Sequence, residues 1–161
     1  MEPVFYLDSS AIVKRYCEEK GSKFVDTFYE YERNRDTRFY SSRHTLAEVD
    51  SSIQRRFHQN LLNREEASAT IKAFLQESLS SINFIDIDNI LLYRAIALMG
   101  KYKLRSGDSI QLSAAMEVYF IHGNNLHFIS SDHHLNETAR CEGINVIDPA
   151  GNGAVRYLLS I

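Results

Sequence analysis

Four carboxylates set far apart along this 161-residue chain, Asp8, Glu48, Asp108 and Asp132, are the residues best suited to chemistry. Asp8 ends an apolar run that begins at Val4, and two hydroxyls, Ser9 and Ser10, separate it from the helical spacing of Ile12, Val13 and Tyr16. That order is strand, turn, helix. At the carboxyl end of a buried parallel strand, an α/β sheet opens its ligand crevice. An anion there is costly unless water, a helix terminus or a cation compensates it. Asp132 holds the equivalent place after Leu126 to Ser130, and Asp108 opens a helix that can begin at the same edge. If their strands are neighbours, Asp8 and Asp132 face one crevice. Gathered carboxylates raise one another's pKa unless a cation is bound, and hard divalent ions such as Mg²⁺ or Mn²⁺ accept an all-oxygen set. Each residue also has an ordinary reading: Asp8 and Asp108 as helix caps, Asp132 as the start of a turn. Glu48 falls off the apolar stripe of its helix, roughly in line with His44 and Ser52, and periodicity alone calls it a surface residue. The argument belongs to the set and not to any member.

The elements that must position these groups are legible from periodicity. After the first helix, Ser22 is expected to cap a second helix carrying Phe24, Val25, Phe28 and Tyr29, with Ser9 or Ser10 capping the first. Asn34 to Arg38 reads as a polar connection. Phe39 to Ser42 reads as a short strand, and a third helix starts near His44 or Thr45 with Leu46, Val49, Ile53 and Phe57 at helical spacing. Asn63 caps a fourth helix running to about Leu79, and Asp88 caps a fifth from Ile90 to Tyr102, after a strand signal at Asn83 to Ile87. The helix from Asp108 to about Phe120 is apolar over most of its circumference and should be buried, with Asp108, Ser109 and Gln111 as polar exceptions in its opening turns. A strand at Leu126 to Ser130, a short helix through Leu135 and Ala139, a strand at Ile144 to Ile147 and a tail broken by Pro149 and two glycines complete the chain. Strands alternating with helices imply a mostly parallel sheet covered on both faces. The expected organisation is one domain over 1–148 with a tail, 149–161, packed on it.

Composition narrows the classes. Hydrophobic residues are 44% and charged residues 24%, ordinary for a globular domain of this size. No apolar run is long enough for a bilayer span, and no secretion signal is visible, so a cytoplasmic protein without membrane contact is expected. Cys17 and Cys141 are expected to be free, buried thiols. A net charge of −3 argues against coating nucleic acid by bulk electrostatics but not against a nuclease, whose carboxylates a metal offsets locally. Basic residues cluster at Lys14-Arg15, Arg33 to Arg38, Arg55-Arg56 and Lys101 to Arg105, with Lys14 and Arg15 best placed near Asp8 to meet phosphate. HExxH, CxxC, GxSxG, Walker and GxGxxG patterns are missing, so zinc, nucleophilic-serine and nucleotide-loop chemistries lack support.

Four blocks carry a resemblance to a known family: Tyr6 to Lys14, Thr45 to Val49, Leu104 to Ala115 and Phe128 to Asp132. In this order and at these intervals they resemble the PIN domain, and within it the VapC-like toxins of toxin-antitoxin pairs. Two departures stand out, Gly107 where small or acidic alternatives are common and His133-His134 where basic residues are frequent. The resemblance implies a PIN-like three-layer α/β/α fold and a metal-dependent endoribonuclease hydrolysing RNA with Mg²⁺ or Mn²⁺. It implies Asp8, Glu48, Asp108 and Asp132 as the acidic quartet, Asp8 and Asp108 as the direct ligands, and Glu48 and Asp132 completing the site directly or through water. Ser10 and Ser130 match polar positions that orient a carboxylate or water. An antitoxin partner and a homodimer follow from the same resemblance; the aromatic second helix around Phe28 and Tyr29 is a candidate contact surface, and a buried core face explains those aromatics equally well. The rival is a PIN-fold module that binds RNA or a protein without turnover. A phosphatase using Asp8 as nucleophile is weaker, because the second Asp expected two positions on is Ser10.

Overall fold

The computed structural model describes residues 3–33 and 39–160, with backbone only for 31–33. The chain forms a sheet of five parallel strands in the order β3-β2-β1-β4-β5: β1 Val4–Leu7, β2 Phe39–Ser42, β3 Ile82–Ile85, β4 Leu126–Ile129 and β5 Asn145–Ile147. The central strand is buried on both faces, which its unbroken apolar run required. Two-residue alternation sends Phe5 and Leu7 to one layer and Val4 and Tyr6 to the other. The first layer contains α1 Ser9–Tyr16, α2 Ser22–Arg33, α3 His44–His58 and α4 Arg64–Ser81; the second contains α5 Asn89–Tyr102, α6 Ser106–His122 and α7 His133–Cys141. This is the three-layer α/β/α arrangement expected.

Local chemistry explains most element ends. Asn63 and Glu66 form a reciprocal capping box on α4, and Asp88 accepts the Leu91 amide at the start of α5. Asp8, not Ser9 or Ser10, is the N-cap of α1, and its carboxylate accepts the Ser10 amide. α6 begins two residues before the expected start, which puts Asp108 inside its first turn. The aromatics of α2 are core: the Phe28 ring lies 4.9 Å from Phe5 and 5.0 Å from Phe39, and each such burial contributes about 1.5–3 kcal/mol. Of the two readings of these aromatics, contact surface or core, the structure shows core. The tail is also more ordered than its glycines suggested, because α8 Ala154–Leu158 packs on α2 and buries Leu158. Both thiols are free; Cys17 is buried, but Cys141 is exposed at the end of α7. The Asn34 to Arg38 connection lies outside the described residues, as does nearly all of the basic patch there. No helix among the described residues is long and apolar enough to cross a membrane.

Candidate active site

Pairing of β1 with β4 sets Leu7 beside Ile129, so the turns that follow both strands meet at one edge of the sheet. The Asp8 amide donates to the Ile129 carbonyl at 3.0 Å, and its side chain is buried. Oδ2 accepts the Ser10 hydroxyl at 2.6 Å, the Ser130 hydroxyl at 3.0 Å and the Ser10 amide at 3.2 Å. Each serine oxygen in turn accepts an amide from the second turn, Ser131 to Ser10 at 2.9 Å and Asp132 to Ser130 at 3.1 Å. The two hydroxyls therefore stitch the turns together around Asp8. All of these bonds to the carboxylate fall on one oxygen, and Oδ1 takes none among the described residues. Burial pushes the Asp8 pKa up to about 6, with the Glu48 charge adding and the Ser10 and Ser130 donors opposing.

Glu48 is not the solvated residue that periodicity suggested. Its Oε2 accepts from Gln111 Nε2 at 2.5 Å, and its Oε1 lies 3.5 Å from His44 Nε2. Gln111 sits on α6 and is itself buried, with Nε2 also 2.8 Å from Thr45 Oγ1 and Oε1 accepting the Tyr6 hydroxyl at 2.7 Å. Ser41 bonds Thr45 at 2.8 Å and donates to the Leu7 carbonyl at 2.6 Å. This polar chain runs from β1 through β2 and α3 to α6. Gly107 belongs to the same arrangement, because a Cβ there would lie 2.7 Å from Glu48 Oε1.

Asp108 is half-buried, and its pKa is raised by burial first, then by the charges of Asp132 and Glu48, while Arg105 and His134 lower it. Asp132 caps α7, accepting the Leu135 amide at 2.8 Å. The ordinary reading of Asp132 as the start of a turn gives way to a helix cap, and its charge acts on Asp108. Glu48 is thus the group whose charge acts on both Asp8 and Asp108, and Asp132 acts on Asp108. Lys14 does not join them: its side chain is 7% exposed and its ammonium lies 2.7 Å from Glu19, so the expectation that it meets phosphate gives way to an ion pair with Glu19. Arg105 and, when protonated, His134 act on Asp108 through their charges. Sequence reading also passed over Gln111, Thr45, Tyr6 and Gly107 as members of the site. The available signal was Gln111 itself, a polar side chain three residues after Asp108 on an otherwise apolar helix.

The donor set suits a hard divalent ion, since every acidic group is an oxygen ligand, Asp8 keeps an unbonded Oδ1, and the carboxylates repel one another without a cation. Among the described residues no three His, Cys, Asp or Glu side chains are gathered closely enough to enclose an ion. The residues would therefore fit an ion at an open site and not in a closed protein cage.

Residues 5–140 match the family model for the PIN domain. The fold is similar to FitAcB from Neisseria gonorrhoeae, with a TM-score of 0.64 and 14% identity over 91% of this chain and 98% of that one. It is similar to VapBC2 from Rickettsia felis bound to a DNA fragment from their promoter, with a TM-score of 0.62 and 13% identity over 90% and 98%. It is also similar to a toxin-antitoxin complex from Klebsiella pneumoniae, with a TM-score of 0.54 and 19% identity over 89% and 96%. At these identities the likeness is one of fold. No curated protein sequence matches the chain significantly.

Proposed function

The chain belongs to the PIN domain family, and from that premise we propose that it is a metal-dependent endoribonuclease, the VapC-like toxin of a toxin-antitoxin pair. One observation supports the reading: the charge of Glu48 acts on both Asp8 and Asp108, the charge of Asp132 acts on Asp108, and no lysine or arginine forms an ion pair with any of the four among the described residues. A folded chain keeps such an arrangement only at a cost, and a bound cation removes that cost.

Asp8 and Asp108 are the proposed direct ligands for Mg²⁺ or Mn²⁺, with Glu48 and Asp132 completing the site directly or through water. The ion, when bound, supplies activation of water and neutralisation of charge growing on the phosphate. The protein does the rest. Ser10 and Ser130 hold Asp8 Oδ2 and leave Oδ1 without a protein donor among the described residues, and Arg105 brings a positive charge to the Asp108 side for the RNA backbone. An antitoxin is the proposed protein partner, supported by the toxin-antitoxin assemblies among the similar folds. A homodimer is proposed on α5, where Ile90, Tyr93 and Ile96 form an exposed apolar stripe three residues apart.

The test is cleavage of single-stranded RNA with and without Mn²⁺ by the unaltered chain, Asp8→Asn and Asp108→Asn. Metal-dependent cleavage lost in both variants is expected. Equal cleavage by all three would mean a contaminating nuclease and end the assignment, and metal binding without cleavage of any RNA would favour a binding module.

A further inference from the structure

The buried polar chain behind Glu48 has one self-consistent arrangement of hydrogens. A carboxylate only accepts, so the Gln111 amide must present its NH₂ to Glu48 Oε2, 2.5 Å away, and its second hydrogen reaches Thr45 Oγ1 at 2.8 Å. Gln111 Oε1 is then an acceptor and needs a donor, which the Tyr6 hydroxyl supplies at 2.7 Å. Tyr6 stays protonated because burial and the Asp8 charge raise its pKa well above the usual tyrosine value. Thr45 passes its hydrogen to Ser41, and Ser41 donates to the Leu7 carbonyl, one residue before Asp8. Every hydrogen along the chain has one place to go, and both ends are anchored on β1. The carboxylate of Glu48 is thereby tied to the strand that carries Asp8.

On the other side Glu48 Oε1 rests against the backbone of α6 where residue 107 has no side chain. The space is 2.7 Å deep from the position of a Cβ to that oxygen, too short for any other residue type without moving the carboxylate. Gly107 is helical and shows no left-handed φ, so glycine is not required there by backbone conformation. A glycine inside a helix is otherwise unfavourable relative to alanine. The requirement is therefore the room it leaves for Glu48.

We propose that Gln111 and Gly107 are positioning residues for the metal site, Gln111 holding Glu48 from one side and Gly107 leaving the space into which its other oxygen, 3.5 Å from His44 Nε2, is turned. The proposal rests on the metal-dependent reading above and concerns how this chain presents one carboxylate to the ion.

Mn²⁺ titration calorimetry on the full chain tests it, with metal-free thermal unfolding measured alongside. Gly107→Ala should weaken Mn²⁺ binding by about 10–100-fold, the usual consequence of disturbing groups behind a ligand, while leaving the unfolding temperature unchanged or higher. Gln111→Leu alone strands the buried Tyr6 hydroxyl, so the informative variant is Tyr6→Phe/Gln111→Leu, which restores an apolar pairing but not the hold on Glu48. It should recover most of the unfolding temperature lost in Gln111→Leu and none of the lost Mn²⁺ affinity. If the double variant does not fold, Gly107→Ala decides alone. Unaltered Mn²⁺ affinity in Gly107→Ala overturns the proposal while the parent reading stands. An unaltered chain that neither binds Mn²⁺ nor cleaves RNA overturns the parent reading and this inference with it.

Discussion

Two clusters of charge lie at opposite ends of α1, and they are built on different rules. At its carboxyl end Arg15 reaches Asp26 on α2 at 2.8 Å and Glu77 on α4 at 3.2 Å, with its guanidinium over the Tyr29 ring and Tyr16 donating to Glu77 at 2.6 Å. Beside it, Lys14 and Arg56 both bind Glu19, at 2.7 and 2.6 Å. Each acid there has a cation within contact, and the result is a clamp across α1, α2, α3 and α4. At the amino-terminal end, Asp8 and the other three acids have no lysine or arginine in contact among the described residues: His44 lies 3.5 Å from Glu48, and Arg105 and His134 act on Asp108 from farther away. Proximity of carboxylates is therefore not the mark of a site; the mark is proximity without matched cations, because only that arrangement has an electrostatic reason to recruit an ion.

The contrast breaks most readily on catalysis. Asp8→Asn or Asp108→Asn should lower Mn²⁺-supported RNA cleavage by at least about 10²–10³-fold, whereas Arg15→Ala should change it by less than about threefold, as read by initial cleavage rates. Comparable losses from both clusters would erase the distinction.

Stability should run the other way. Arg15→Ala is expected to cost about 1–3 kcal/mol in denaturant unfolding, since it leaves Glu77 and Asp26 without their shared cation. Asp8→Asn should instead stabilise the metal-free protein at pH 7 by about 1–2 kcal/mol. The sign follows from the raised pKa of about 6: between about pH 4 and 6 the folded chain holds this proton and the unfolded chain does not. The stabilisation associated with Asp8 is present below about pH 4 and is lost as pH rises through about 6. Metal-free unfolding curves across that range should show the decline in the unaltered chain, and Asp8→Asn should lack its share of it.

The same proton competes with the ion. Mn²⁺ affinity should fall as pH drops below about 6, by about tenfold per unit for each proton displaced, and a flat titration would remove Asp8 from the ligand set. The smallest effect concerns RNA. Arg105→Ala should weaken RNA binding a few-fold across sequences and reduce the salt slope by about one, while Lys14→Ala, already neutralised by Glu19, should leave the slope unchanged.

Much of this was readable along the chain because it depends on near neighbours. The caps at Asn63 and Asp88, the strand-turn-helix at Asp8 and the apolar α6 each follow from groups a few residues apart. Periodicity put Glu48 on the surface, and local position put Lys14 near phosphate, for a shared reason. A polar residue off a helix stripe looks solvated unless its partner is known, and the partners here are Gln111, 63 residues away, and Glu19, reached only after α1 has ended. Residue types and local periodicity determined that this is a parallel α/β chain with acids at its strand and helix ends. Only the tertiary structure decided that β1 and β4 are neighbours, that Ser130 reaches Asp8 across 122 residues, and that Gln111 turns Glu48 inward. Strand order and buried polar pairing are set by the summed packing of both layers, and no window along the sequence contains that sum.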